Sequence, residues 1–457
     1  MVRAFFLIDE RGSTVRREVL GGVTTFVTMA YIIVVNPAIL SAAGLAVGPS
    51  TVATILTAVF GSLLMGLYAN RPIAVAPYMG ENAFIAFGLV ALGATWEQRL
   101  GSVFVAGFVF LLLTVFHVRS KLASAISPSL KYSFAAGIGL FLAYIGLYET
   151  GIVTSGAAGL PATALLGTGG ALLRAPDVPM KIGAFHDPRV LLAIGGFVLI
   201  AVLMMRRIRG AILVGMGVTA VAGYAMGFAP APTSVMAMPF VGEYSLAPLA
   251  FRLDVIGVFR LSFLPVLLTL VLMSFLDTLG TLVGVGAAGD MLDKDGNFPE
   301  IEKPMVVDAL SCLFASVVGT STSGAYIESA TGIREGARTG LAAVVTALLF
   351  ASALFFLPLV GPLQASRYAY GPALIAVGTL MVGSMRKIDF DDLTEAVPAF
   401  ACIALMVFTY NIANGQTAGL VLYPIAKLAG GRARDLNWGS IVLALLCLTY
   451  FIFGLPH

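Results

Sequence analysis

The chain has 457 residues, of which 59% are hydrophobic and only 11% charged. A soluble chain would carry about 25% charged residues, so a soluble globular protein is excluded and an integral membrane protein, with the lipid bilayer as partner, is indicated. A formal net charge of +3 offers no broad basic surface, and nucleic acid is not an expected partner.

Residues 1–18 are charged, and the apolar segment that follows is long enough to remain as a spanning helix, so no cleavable signal peptide is expected. Apolar runs of about 17–25 residues fall near 17–40, 49–69, 72–92, 99–117, 127–148, 188–205 and 209–228. In the second half they fall near 261–289, 303–319, 322–336, 338–360, 371–386, 392–411 and 414–429. A further run, 438–455, either crosses the bilayer or lies against the other helices. Only helices or closed barrels span a bilayer, and no run alternates as a barrel strand does. The expected fold is an all-α polytopic membrane protein with about 14 transmembrane segments. Small residues at Gly137/Gly139 and Gly280/Gly284 predict close helix packing.

Charge gives the orientation. With the N-terminus inside, 20 of the 27 Lys and Arg residues fall in inner loops, and the outer side keeps Arg99, Arg174, Lys181, Arg189, Arg252, Arg260 and Arg367. The positive-inside rule then predicts a cytoplasmic N-terminus for a multi-pass protein of the cell membrane.

Two runs cannot be clean spanning helices. Residues 71–84 carry Pro72, Pro77, Gly80, Glu81 and Asn82, and residues 319–332 are rich in Gly, Ser and Thr and include Glu328. Proline biases the residue before it toward extended backbone. Each run is therefore read as a short extended entry followed by a half-helix that begins near mid-membrane. Broken segments in matching places of two halves point to a transporter binding site. Setting Glu81 on Glu328 shifts the halves by 247 residues and brings Asp277 onto Ala30, within the polar stretch that runs from Thr24 through Thr28 to Tyr31. A seven-plus-seven inverted repeat follows, 1–228 and 229–457.

The chemistry is concentrated in a few polar residues within apolar runs. Asp277 stands in a segment with almost no other polar side chain, and Thr281 lies one helical turn on, on the same face. Glu328 follows the Thr/Ser run at the start of a half-helix, where free N–H groups favour an anion. An ionisable group at membrane depth costs roughly 2.5–3.5 kcal/mol on insertion scales and marks function by default. The bland alternatives are a structural ion pair for Asp277 and a capping role for Glu328, but no basic residue falls within the expected depth of any segment. Asn82 can donate and accept toward the edge of a heteroaromatic ring, whereas Glu81 either does the same or pairs with Asn82 or a backbone donor. Asp308, Glu149, Glu395 and Asp290 read as interfacial.

Other motifs fall away. Gly284–Gly289 fits GxGxxG without a preceding strand, so no dinucleotide is expected. The stretch 293–296 lacks the acid spacing of a calcium loop. Cys312, Cys402 and Cys447 lie singly, and the three histidines form no HExxH, so no disulfide, metal site or cofactor is expected. No nucleophile–base pair or metal cluster marks an enzyme.

At these residues the chain resembles the AzgA-like adenine/guanine/hypoxanthine permeases of the nucleobase–cation symporter superfamily. The resemblance covers nearly the whole chain and is carried by Gly21-Gly22-Val23-Thr24-Thr25 with Asn36-Pro37, by Met79-Gly80-Glu81-Asn82-Ala83, and by Leu130-Lys131-Tyr132. Further matches are Asp277-Thr278-Leu279-Gly280-Thr281, Gly319-Thr320-Ser321-Thr322, Tyr326-Ile327-Glu328-Ser329-Ala330 and Arg338-Thr339-Gly340. It implies fourteen spans in two inverted repeats, with short strands facing each other in the third and tenth. It also implies a core domain from about 17–117 and 261–360, and a gate domain from about 127–228 and 371–457. Elevator-type alternating access and a homodimer are implied as well. The substrate site would involve Asn82, Asp277 and Glu328, with Glu81, Thr281, Thr322, Tyr326 and Thr28 close by. The chain departs from the pattern at Glu81, where the branch often has Leu.

A carboxylate accepts two N–H groups at once, and amide or backbone N–H groups serve ring acceptors, which suits a purine edge; Phe84, Phe275 and Tyr326 are candidates to stack on its face. Burial disfavours a charged carboxyl, which makes Asp277 and Glu328 the candidate proton carriers for symport. Permeases for uracil, xanthine or ascorbate are within-class alternatives. An anion exchanger on the same architecture would want Lys or Arg where this chain has acids.

Overall fold

The computed structural model describes residues 2–89, 93–116, 126–156, 180–288, 291, 298 and 300–453. The acid at 290, the loop 293–296, the last glycine of the 284–289 motif and the end of the run 438–455 lie outside the described residues.

Helix α1, Val15–Met29, starts where the Thr14 side chain accepts from the Arg17 N–H, breaks at Ala30–Tyr31, and continues as α2, Ile32–Ser41. Pro37 lies inside α2 and has no N–H to give the Ile33 carbonyl; Gln364 Nε2 donates to that carbonyl instead at 3.1 Å, and to Thr51 Oγ1 at 2.9 Å. Next come α3 (Val47–Leu67), strand β1 (Val75–Pro77), the short α4 (Met79–Ala83) and a π-helical turn, Phe84–Gly88. Helix α5, Trp96–Val115, begins on a Thr95/Gln98 capping box, and α6, Pro128–Glu149, on the Ser127 cap with Pro128 at its first position. Strands β2 (Val153–Ser155) and β3 (Met180–Ile182) pair antiparallel, a feature with no sequence signal of its own. Helices α7 (Pro188–Met205) and α8 (Ala211–Ala225) close the first half.

Residues 226–263 fold as turns and short 3-10 segments laid over the ends of neighbouring helices: the Phe251 N–H donates to the Val317 carbonyl and the Asp254 N–H to the Glu97 carbonyl. The second half holds α9 (Leu264–Ala288), α10 (Glu302–Val318), β4 (Ser323–Ala325), α11 (Ser329–Arg334), α12 (Gly340–Ala353) and α13 (Leu357–Ala365). It ends with α14 (Arg367–Val382), α15 (Leu393–Phe408), α16 (Ile412–Ala429) and α17 (Trp438–Phe453).

Among the described residues, eight helical stretches are long and apolar enough to cross a membrane, and Ala211–Ala225, Leu393–Phe408 and Trp438–Leu448 are shorter apolar helices. The molecule is a mostly helical polytopic membrane protein. Val198, Val202, Met205, Val218, Val221 and Leu348 are exposed, the outward apolar surface that lipid tails cover.

The packing follows small residues. Helix α12 packs on α3 and α1; a Cβ added at Gly340 would lie 2.0 Å from the Gly66 carbonyl oxygen, so the two backbones touch. Helix α10 packs on α5 and α3, and α14 packs on α6, α7 and α8. Gly139 meets α14 at the Gly378 carbonyl, the close packing its spacing predicts. Gly280 and Gly284 do not behave so: Gly280 has no atom within 4 Å of a built Cβ, and Gly284 meets only Ile327 Cδ1 at 3.6 Å. They leave one face of α9 open, because a small residue makes room whether or not a helix fills it.

At one end of the molecule Lys427, with its side chain 2% exposed, lies 2.8 Å from Glu395 and 3.6 Å from both Asp392 and Asp435, tying α15 to α16. The Thr394 hydroxyl, together with Lys427 and Arg432, holds the Asp392 carboxyl below the usual carboxylate range.

Candidate functional site

The two broken segments meet. Strands β1 and β4 pair antiparallel with Val75 opposite Ala325, Ala76 opposite Gly324 and Pro77 opposite Ser323. The pairing extends one bond at each side: the Tyr78 N–H donates to the Thr322 carbonyl and the Tyr326 N–H to the Ala74 carbonyl, both at 2.9 Å. Each strand thus leads into a tyrosine, and the rings of Tyr78 and Tyr326 lie parallel with centroids 6.5 Å apart. The symmetric partners Tyr78 and Tyr326 are 248 residues apart, one more than in the alignment of Glu81 on Glu328. In the fold Glu328 therefore corresponds to Gly80, and Glu81 to Ser329.

The tyrosine hydroxyls are used inside the site. Tyr326 donates to the Pro77 carbonyl, so its phenol braces the strand pair. Tyr78 shares a hydrogen bond with Thr278 Oγ1 at 2.9 Å and lies 3.5 Å from Asp308 Oδ2. Asp308 Oδ2 also accepts from Thr278 Oγ1 at 2.8 Å and from the Ala325 N–H at 2.9 Å. Asp308 is fully buried, which overturns its interfacial reading. Helix α10 enters the packed interior within its first two turns, so an early place in the run does not mean a surface place. No signal in the chain distinguishes this acid from the others near segment ends; even a base, Lys303, stands five residues before it.

Asn82 and Glu81 sit on α4, both with no exposed surface. Asn82 Nδ2 donates to Asn36 Oδ1 at 2.8 Å, and Asn36 Nδ2 in turn donates to Thr54 and Thr320 at 2.8 and 2.9 Å. Glu81 Oε2 accepts from the Ser274 hydroxyl of α9 at 2.8 Å. Among the described residues, Asn82 Oδ1 and Asp308 Oδ1 are buried without a hydrogen-bond partner, and Glu81 Oε1 and Thr322 Oγ1 lie within reach of each other but form no bond of good geometry. A buried polar atom left unpaired costs about 1–3 kcal/mol, so a group of them around one pair of half-helices marks a place built for something else to complete.

Asp277 lies on α9 within electrostatic reach of Glu81 and Tyr78. Together with Thr281 and Gly284 it occupies the partly open face of that helix. Phe275 does not: it is buried and packs edge-on against Phe110 of α5, 6.4 Å between centroids, so it belongs to the core rather than to a stacking wall. Glu328 is half-buried just before α11, and its Oε1 accepts from the Tyr31 hydroxyl at 2.8 Å. Tyr31 stands at the break between α1 and α2. Thr28 meets Thr331 of α11, hydroxyl to hydroxyl at 3.1 Å, and so joins the site through α11 rather than through Asp277.

Among the described residues, no Lys or Arg contributes to the electrostatics of Glu81, Asp277, Asp308 or Glu328. Two buried guanidiniums flank the first broken segment: Arg71, at its start, lies 3.5 Å from Glu300, whereas Arg99 pairs with no acid among the described residues. It donates to the carbonyls of Ile85 and Ala86, freed by the π-helical turn, at 3.2 and 3.0 Å, and to Ala94 at 3.1 Å. On the far side of the half-helix, a Cβ added at Gly80 would lie 2.5 Å from Ile138 Cγ2 of α6, so α6 is seated directly against α4.

The arrangement defines a class: a polytopic helical membrane protein with an acid-rich polar site between two interrupted segments. The chain belongs to the permease family (Xan_ur_permease), which it matches over residues 16–417. It is 39% identical to adenine permease AdeP of Escherichia coli (strain K12), over 100% of this chain and 97% of that one. It is 37% identical to guanine/hypoxanthine permease PbuG of Bacillus subtilis (strain 168), over 99% of this chain and 100% of that one. These relatives bear out the resemblance to purine permeases, and they are transporters, not enzymes. Among solved structures, the transmembrane domain of the cyanobacterium bicarbonate transporter BicA is similar with a TM-score of 0.61 at 15% identity, covering 88% of this chain and 97% of that one. At that identity the likeness is one of fold.

Proposed function

We propose that this permease imports a purine nucleobase, adenine, guanine or hypoxanthine, by proton symport. The observation that carries the reading is the group of buried acceptors on α4, on α10 and just before β4, with no Lys or Arg beside them among the described residues. Such a group favours a neutral ligand that brings N–H donors and disfavours an anion. The names of AdeP and PbuG support the choice of base. Asn82, Glu81, Asp277, Thr281, Thr322, Tyr326, Glu328 and Thr28 are the proposed binding set, with Asp308 added from its position. In this reading Tyr326 and Thr28 shape the site and the acids take the base edge. Asp277 and Glu328 are the proposed proton carriers.

The wider reading is of fourteen crossings in two inverted repeats, 1–228 and 229–457, with the N-terminus cytoplasmic in the cell membrane. The core domain would be built from about 17–117 and 261–360 and the gate from about 127–228 and 371–457, moving as an elevator within a homodimer. The packing of α12 on α1 and α3, and of α14 on α6 to α8, supports that grouping.

Binding and uptake of radiolabelled bases by the purified protein in proteoliposomes test the proposal. One of the three purines is expected to bind and to accumulate against its gradient when the outside is acidic. Asp277→Asn is expected to retain binding within about tenfold and to lose proton-driven accumulation. Accumulation at the wild-type level in that variant removes Asp277 as carrier, and no binding of any purine to the wild type removes the function.

A further inference from the structure

A polar cavity lies away from the strand pair. Its volume is about 240 Å³, and it is a partly open cleft lined by the C-terminal end of α2, by Phe87, and by the facing ends of α6 and α14. The distribution of Lys and Arg puts this end of the molecule outside. Phe87 connects it to the central site: it follows Asn82 by five residues on the same interrupted segment, about 8 Å of helical rise. Phe87 also packs on Tyr410, centroids 5.3 Å apart, and Tyr410 in turn meets Phe141 and Tyr144 at 5.2 and 5.6 Å. These rings form an aromatic seal beside the cavity.

The polar wall is made by Glu149, Arg367 and Tyr370. Glu149 Oε2 accepts from the Tyr370 hydroxyl at 3.0 Å and lies 3.2 Å from Arg367 Nε. Both partners use the same oxygen. Among the described residues, Oε1 accepts no hydrogen bond and the Arg367 guanidinium donates none elsewhere. The pair thus sets a free acceptor next to a fork of free donors, against the aromatic wall of Phe87.

The bland reading is a helix-end ion pair that holds α6 to α14, and surface pairs of that kind contribute little. It accounts for the Oε2 contacts but not for a partly open cavity lined by both residues, into whose mouth the arginine, its side chain 70% exposed, brings unused donors. The pair is neutral as a whole, which disfavours an anion. The volume falls below the roughly 300–1,000 Å³ of drug-sized pockets and limits the occupant to a small ring system.

We propose that this cavity is an outer subsite for a neutral planar heterocycle with an N–H and an adjacent ring nitrogen or carbonyl on one edge. Its occupant is the transported base, held on Glu149 and Arg367 before it passes Phe87 to the central site. The proposal rests on the purine-permease reading.

The test is equilibrium binding of radiolabelled adenine, guanine and hypoxanthine to the full chain in lipid nanodiscs. The variants are Glu149→Gln, Arg367→Gln and Tyr370→Phe, the last preserving ring packing, with Glu328→Gln to weaken the central site. The wild type is expected to bind two equivalents of one base, the second at least tenfold more weakly. Glu149→Gln and Arg367→Gln are expected to bind one equivalent at unchanged high affinity, Tyr370→Phe to weaken only the second, and Glu328→Gln to keep only the weak one. One equivalent in the wild type, or two equivalents unaltered by both Glu149→Gln and Arg367→Gln, overturns the subsite and leaves the permease reading standing. No purine binding at all overturns both.

Discussion

Asn36 is where four stretches of the chain are pinned together. Its Oδ1 accepts from Asn82 of α4 and from Ser321, and its Nδ2 donates to Thr54 of α3 and Thr320 before β4. None of these groups is exposed to solvent. Replacing Asn36 by Ala takes a partner from the Asn82 amide and from the hydroxyls of Thr54, Thr320 and Ser321, of which Thr54 keeps its bond to the Ser50 carbonyl; a buried partner lost without replacement costs about 1–3 kcal/mol. Asn36→Ala is therefore expected to cost about 2–4 kcal/mol of stability if the cavity hydrates partly and to weaken purine binding by freeing Asn82. Thermal unfolding and a binding isotherm on the same preparation check this; an unchanged affinity in a folded protein would mean that Asn82 does not depend on its anchor. At this scale the sequence was informative about type and poor about contact. The acids at 81, 277 and 328 stand out because a membrane segment has few reasons to hold charge. Asp308 and Asn36 are equally polar and equally buried, but their roles come from partners 17 to 285 residues away, and no local pattern encodes such a distance.

At the scale of elements, the interrupted segment 75–88 is the least regular piece of the fold and the one with most uncommon support. A short strand, five helical residues and a π-helical turn leave carbonyls without the usual i+4 donor, and Arg99 from the start of α5 fills that gap at Ile85 and Ala86. The half-helix was legible because Pro72, Pro77 and Gly80 forbid a continuous helix there. Its support was not, since Arg99 reads in sequence as one more outer-loop charge. Gly280 and Gly284 were misleading for a related reason: the spacing that allows a helix to approach equally allows an open face. Arg99→Ala is expected to remove a donor from the carbonyls of Ile85, Ala86 and Ala94, lowering stability by about 2–4 kcal/mol, and to reduce purine affinity more than a surface change of equal thermal effect. Arg99→Lys, with one ammonium in place of a fork, is expected to recover part of both. Unfolding midpoints and base affinity for the two variants decide it; wild-type behaviour in Arg99→Ala would remove the support role.

For the whole molecule, the central question is whether the helices around α1, α3 and α12 move against those around α6, α8 and α14. One contact between the two sets is chemically distinct. Arg209, just before α8, forms an ion pair with Glu335, the residue after α11, and a Cβ added at Gly210 would meet Val27 of α1 at 2.4 Å. Such a pair is largely exposed on the arginine side, so its own contribution to stability is small, but its place makes it a reporter of relative motion. The native cysteines Cys312, Cys402 and Cys447 are buried, so cysteines placed at 209 and 335 would be the accessible thiols among the described residues. In the double variant Arg209→Cys/Glu335→Cys, a short bifunctional thiol reagent is expected to abolish uptake while purine binding to the immobilised state persists. Each single variant treated the same way is expected to transport normally. A cross-linked double variant that still accumulates base at the untreated rate would mean that these two sets of helices do not separate at this end during transport, and the elevator reading would then have to place its moving surface elsewhere.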